Sequence, residues 1–296
     1  MKKFAYVALA GLLASFAFAE RVYLMTSQDT DVDTAVVNAL TSRGHTVTIG
    51  QAYHLFDGTA DLSDIDVVFM QANANWAVGD MPQAGQEHLI EFMSLPGRGI
   101  VTTEWIIWKW SASGHFQMMG DLFPVQDIDG YYRGDFAVTY TRSVPNPIMD
   151  DGVSSPFSYG ATNYAGTESY FVPRPGALVF YASDYLIDDE PGGGVVGFTH
   201  ASGARTVSFS TCGGLDSMAN GDYAQLVSNA VKWVTRGAGF RNGDANGDGC
   251  VDDTDLAITL AMFGLTGTNL AADFNSDEIV DDSDLAIVLS FFGAGC

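Results

Sequence analysis

Residues 21–50 read RVYLMTSQDTDVDTAVVNALTSRGHTVTIG, and this stretch sets the fold class. Residues 21–26 are apolar enough for a buried strand. Residues 31–43 place Val32, Val36, Val37 and Leu40 on one helical stripe, with Gly44 as its stop. Residues 46–49 then form a second strand. Working outward, residues 65–71 (IDVVFMQ) read as a buried third strand, residues 83–93 as a helix ending near Pro96-Gly97, and residues 99–103 as a fourth strand. Strands alternating with helices imply right-handed crossovers and a parallel sheet.

Further along, residues 127–175 are rich in Tyr, Pro and Gly and less periodic, the pattern of an irregular insert or extra β-structure. Residues 177–182, 195–200 and 206–210 read as strands, the last two joined by a turn at 201–204. Residues 223–234 form a closing amphipathic helix.

The chain begins Met1-Lys2-Lys3, runs apolar from Phe4 to Phe18, and offers Ala17-Phe18-Ala19 before Glu20. A basic start, a short apolar core and a small-residue cleavage site describe a secretory signal peptide over residues 1–19. The remainder, with 11 basic against 36 acidic residues, is expected to be secreted, at the cell surface or outside it. Such charge disfavours nucleic acid and anionic lipid as partners. No later segment is long and apolar enough to span a membrane.

The end of the chain carries one acidic loop twice, 29 residues apart: Asp244 to Asp255 and Asp273 to Asp284. Oxygen-bearing side chains recur at positions 1, 3, 5, 9 and 12, the spacing by which a twelve-residue loop wraps a hard cation, with the carbonyl at position 7 completing the set. Two of the three cysteines, Cys250 and Cys296, lie in this segment. In an oxidising compartment they are expected to form a disulfide contributing about 4 kcal/mol by loop closure. Cys212 is then left over.

Residues 242–296 resemble a type I dockerin: two loop-plus-helix motifs, each loop ending in Asp, followed in register by Leu256-Ala-Ile258 and Leu285-Ala-Ile287, then Phe263-Gly264 and Phe292-Gly293. The resemblance implies two Ca²⁺ sites. The first comprises Asp244, Asn246, Asp248, the Cys250 carbonyl, Asp252 and Asp255. The second comprises Asp273, Asn275, Asp277, the Ile279 carbonyl, Asp281 and Asp284. Glu278 replaces the usual glycine at position 6 of the second loop, so that site is expected to bind more weakly. Leu256, Leu260, Phe263, Leu285, Leu289 and Phe292 are expected to pack the two helices together. Dockerins bind cohesin domains, and the resemblance assigns partner choice to Asp253-Thr254 and Asp282-Ser283. The acidic residue at position 10 departs from the commoner hydroxyl pair.

Residues 20–236, joined to that module by a linker at 237–241, resemble the class I glutamine amidotransferase-like superfamily, in particular its trehalose-utilisation branch. The opening strand and helix, Gly99-Ile-Val-Thr102, Gly203-Ala-Arg205-Thr-Val-Ser-Phe209 and Leu226–Trp233 carry the match. It implies a flavodoxin-like open parallel sheet with helices on both faces. The turn that holds a nucleophilic cysteine in such enzymes reads Thr102-Thr103-Glu104-Trp105 here, so glutamine hydrolysis is not expected.

Cleft candidates at the carboxyl ends of the strands are Gln71, Asn73, Asn75, Trp76, Glu104, Trp105, Trp108, His115 and Asp184. Glu104 and Asp184 are the carboxylate pair a glycoside hydrolase would need, and Trp105 and Trp108 could stack on sugar rings. His115 and His200 read as structural, and Cys212, in Ser210-Thr-Cys-Gly-Gly214, as a weak nucleophile candidate. The leading expectation is a calcium-binding protein whose dockerin tethers this domain to a scaffold or cell surface in polysaccharide use. The alternatives are a carbohydrate-active hydrolase and a non-catalytic surface protein.

Overall fold

The computed structural model describes residues 19–95, 97–134, 137–161, 167–235, 243–245, 251–267, 270–274 and 279–293. The expected signal peptide up to Phe18, the linker, Asn246, Asp248, Cys250, Asn275, Asp277, Glu278 and Cys296 lie outside them. So does the Cys250–Cys296 disulfide.

The opening stretch folds as read: β1 (Arg21–Met25), α1 (Thr30–Thr41) and β2 (Thr46–Gly50). Asp29 caps α1 by accepting from the Asp31 and Val32 amides at 3.0 and 3.2 Å. Next come β3 (Val67–Met70), α2 (Gln83–Phe92), β4 (Gly99–Thr102) and α3 (Glu104–Ser113). The middle of the chain is β-structure: β5 (Val125–Gly134), β6 (Ala137–Arg142), β7 (Phe157–Gly160) and β8 (Thr167–Pro173). Then follow β9 (Leu178–Ile187), β10 (Glu190–Thr199), β11 (Arg205–Phe209), α4 (Leu215–Ala219) and α5 (Gly221–Thr235).

Nine strands form one sheet in the order β2-β1-β3-β4-β11-β10-β9-β6-β7, while β5 and β8 pair separately. From β2 to β11 all neighbours are parallel. From β11 onward all are antiparallel. The expected all-parallel sheet is therefore correct for one half only. For β9 and β10 the cause is local: they are joined by Asp188-Asp189, both at positive φ (52° and 66°), the two-residue turn that matches strand twist in a tight hairpin. A connection that short can only return antiparallel.

Alternate residues of the central strands feed two cores. Val22, Leu24, Val67, Phe69 and Val101 join Val36, Leu40, Leu226 and Trp233 beneath α1 and α5. Tyr23, Met25, Val68, Met70 and Ile100 join Leu89, Phe92, Trp105 and Ile106 beneath α2 and α3. This two-sided burial is what a strand-helix alternation requires. Gly99 permits the close approach of α5: a Cβ there would lie 2.4 Å from Cβ of Val234.

The C-terminal segment forms α6 (Asp253–Met262) and α7 (Asp282–Phe291), each opened by a reciprocal capping box, Asp252 with Asp255 and Asp281 with Asp284. The two motifs brace each other. Gly264 N donates to Val280 O at 2.8 Å, and 29 residues later Gly293 N donates to Val251 O at 2.7 Å. Its core is Ala245, Val251, Ala272, Phe274, Val280 and Val288, with Leu256 partly buried against it. The expectation that Leu260, Phe263, Leu289 and Phe292 would pack the helices is corrected: these are 55, 45, 56 and 47% exposed. The loop residues at position 8 and Phe274 fill the interior, which turns that stripe of each helix outward.

Candidate functional site

Glu104 is the first residue of α3, immediately after Thr103 at the end of the central strand β4, and it is fully buried. Its amide donates to Thr211 O at 3.1 Å, and its Oε1 accepts from Ser169 Oγ at 2.6 Å. The turn after β4 is thus filled by a hydrogen-bonded carboxylate. Nearby Cys212 is also buried, and its thiol is pushed up to about 12 by burial and by the negative charge of Glu104. Burial and that charge both disfavour the thiolate, the nucleophilic form.

A second carboxylate, unmarked in the sequence reading, lies beside this turn. Glu168, on β8, is fully buried. It accepts from Ser210 Oγ at 2.7 Å, and Ser210 Oγ in turn meets Tyr140 OH at 2.9 Å. Arg133 of β5 donates to Glu168 through Nε at 2.7 Å and also pairs with Asp184. Burial raises the Glu168 pKa above the ordinary carboxylate value, and Arg133 opposes that shift. Ser169 N donates to Ser210 O at 3.0 Å, which ties the Glu104 and Glu168 networks together. Tyr159, Thr211 and Tyr223 extend the array through contacts of 3.0 and 3.1 Å. No local signal announces Glu168, Arg133, Ser169 or Ser210. They come from the least periodic part of the chain and from the far end of β11.

Asp184 sits within β9 rather than at a strand end, with its side chain 43% exposed and paired to Arg133. The structure therefore joins Asp184 to Glu168 through Arg133, whereas Glu104 is held by Ser169. Trp105 is buried and stacks with half-exposed Trp76 at 5.2 Å between ring centroids, while partly buried Trp108 meets Trp105 edge-on at 5.3 Å. Gln71 Nε2 donates to Asp33 at 2.7 Å, and Asn75 shapes the loop after β3 by donating to Thr26 O at 3.2 Å. Asn73 is buried beside it. His115 lies away from the Glu104 turn, near Phe116 and Asp80, and burial lowers its pKa. His200 meets Thr206 Oγ1 at 3.0 Å and is likewise lowered, chiefly by burial.

In the C-terminal segment, Asp244, Asp255, Asp273 and Asp284 are buried, and they are the first and twelfth positions of the two loops. Asp252 and Asp281, at position 9, are partly buried helix caps, whereas Ile279 is exposed. Asp255 Oδ2 and Asp284 Oδ2 each accept from the backbone amide three residues earlier at 2.9 Å. Asp253, Thr254, Asp282 and Ser283 are all exposed. From residue 243 onward the sequence has no Lys, Arg or His.

No family model and no curated protein sequence matches the chain. Among solved structures, a ThuA-like protein from Parabacteroides merdae superposes with a TM-score of 0.51 at 11% identity, covering 74% of this chain and 90% of that one. The large domain shares the α/β fold of that structure. PurLQS from Thermotoga maritima aligns at TM-score 0.49 and 9% identity, over 73% of this chain and 99% of that one. The glutaminase domain of the CTPS from Trypanosoma brucei aligns at 0.38 and 10%, over 73% and 94%.

Proposed function

We propose that this is a secreted, calcium-dependent modular protein in which a dockerin-like repeat tethers a ThuA-like α/β domain, lacking glutaminase activity, to a cohesin-like partner on a scaffold or cell surface, in polysaccharide use. The observation that carries the reading is the burial of Asp244, Asp255, Asp273 and Asp284 in a segment without a basic residue. Burying carboxylates is costly unless opposite charge offsets it. Ca²⁺ is the hard cation that this oxygen-only donor set fits, and it would supply charge and bind both ends of each loop.

Two further features support the tether. The exposed apolar residues Leu260 and Phe263 recur as Leu289 and Phe292, so the repeat presents the same surface twice. Beside it stand the exposed pairs Asp253-Thr254 and Asp282-Ser283. For the large domain, buried Glu104 in place of a nucleophile and the inert Cys212 argue against acyl transfer. A glycosidic acid–base pair would need two carboxylates facing one cleft, whereas Glu104 is buried on Ser169 and Asp184 is engaged by Arg133.

Calcium titration followed by calorimetry tests the proposal. Two binding events are expected, the second weaker, with Asp255→Ala removing the first and Asp284→Ala the second. Absence of calcium binding to the intact protein would refute it.

A further inference from the structure

The two edges of the nine-stranded sheet are finished differently. At one end, β7 has outward carbonyls covered by side chains: Asn220 Nδ2 donates to Ser158 O at 3.1 Å, and Ser217 Oγ to Gly160 O at 3.2 Å. At the other end stands β2, and its sequence Thr46-Val-Thr-Ile-Gly50 has none of the devices that blunt an edge strand. It holds no charge and no proline, and its register with β1 runs from Thr46 to Gly50 without a bulge. Thr46 N donates to Glu20 O at 3.0 Å, so in parallel register Thr46, Thr48 and Gly50 turn their backbone groups toward β1. The amides and carbonyls of Val47 and Ile49 therefore face outward.

We infer that β2 is the contact between two copies of this chain, paired antiparallel across a twofold axis at Thr48. An antiparallel ladder with Thr48 opposite itself sets Val47 of each copy against Ile49 of the other, and these are the residues whose backbone groups face outward. Each such pair exchanges both of its N–H···O bonds. The two Thr48 side chains meet across the axis, a favourable cross-strand pair. The sheet then runs on through both copies.

Side chains and charge fit the same occupant. In register with Val22 and Leu24, Val47 and Ile49 lie on the α1 face of the sheet, where Val37 and Val47 form a partly buried rim of the core. Ile49 is 56% exposed, and a second copy would cover all three. The protein is strongly acidic, so any self-contact must avoid its own carboxylates. Between Asp33 and Asp57 the chain has no acidic residue, although it carries 36 in all. Arg43, the one Lys or Arg in that stretch, is held by Gln225 Oε1 and Ala39 O, both at 2.9 Å. A foreign basic strand, the partner an acidic protein otherwise attracts, finds no carboxylate on this edge to hold it.

The inference stands apart from the calcium-tether reading, because β2 belongs to the α/β domain. Its test is the mass of the full-length protein by sedimentation and light scattering, with calcium and again in EDTA. A mass of two chains is expected in both, falling to one on dilution. Ile49→Lys places a charge on the edge, and Val47→Pro removes an outward amide without touching the β1 ladder. Each should weaken association by about tenfold or more. An oxidant should capture Thr48→Cys as a covalent dimer, because residues opposed across such an axis lie about 4.5 Å apart between Cα atoms. Thr46→Cys, roughly 13 Å from its counterpart, should stay uncaptured. Thr48→Cys decides alone if an edge variant fails to fold. A single-chain mass at concentrations up to about 0.1 mM overturns the inference. So does a dimer that is lost in EDTA, which would place the contact in the C-terminal segment. A dimer that both edge variants leave intact and Thr48→Cys fails to capture overturns it equally.

Discussion

Buried carboxylates in the two parts of this chain are neutralised differently. In the α/β domain Arg133 meets Glu168 at 2.6 Å and Arg21 meets Asp66 at 3.2 Å, while Asp33 and Glu104 accept from hydroxyl and amide groups of the domain itself. In the C-terminal repeat, Asp244, Asp255, Asp273 and Asp284 are buried in a segment with no basic side chain at all. The first arrangement is self-contained. The second has no basic side chain within its own segment, and the calcium proposal rests there.

That contrast can be broken most severely by removing metal. In EDTA the segment from 243 to 293 is expected to unfold, losing its helix signal and becoming protease-sensitive, while the α/β domain keeps its own melting transition. Unchanged circular dichroism and protease resistance of the segment would end the comparison. Next in size, Arg133→Met should destabilise the α/β domain by about 3 kcal/mol in urea melts, because it leaves Glu168 buried without its cation. A loss well under 1 kcal/mol would mean that the hydroxyl network suffices.

A pH effect should separate the parts further. His54, His115 and His200 all have pKa values lowered from 6.5, chiefly by burial. Their folded forms prefer neutrality, so the stability they support is present above the unfolded value and lost as pH falls from 6.5 through the folded values. The α/β melting temperature should therefore drop below that pH, and His200→Gln should flatten the drop. An unchanged slope in that variant would remove His200 from the account. Smallest of all, Glu278→Gly should tighten the proposed second calcium site by about tenfold, because loops of this spacing take glycine at position 6. Calorimetry on both proteins reads it directly.

Much of this was legible in one dimension, for an identifiable reason. Strands β1 to β4 and helices α1, α2 and α5 follow a hydrophobic period set by burial on one or two faces, so their positions could be read within a few residues. The hairpin at Asp188-Asp189 was missed because a turn built on two positive-φ aspartates carries no glycine to mark it. Glu168 and Arg133 were missed because β5 and β8 are adjacent only after folding. In the repeat, Leu260 and Phe263 matched a packing stripe by spacing alone, yet Val251 and Val280, held by the amides of Gly293 and Gly264, fill the interior.

The sequence by itself determined the strand-helix order of the first half, the strong negative charge and the duplication of an acidic loop, since each is a local or additive property of the chain. Tertiary structure decided the antiparallel half of the sheet and the carboxylate network around Arg133. Those depend on which distant backbones become neighbours.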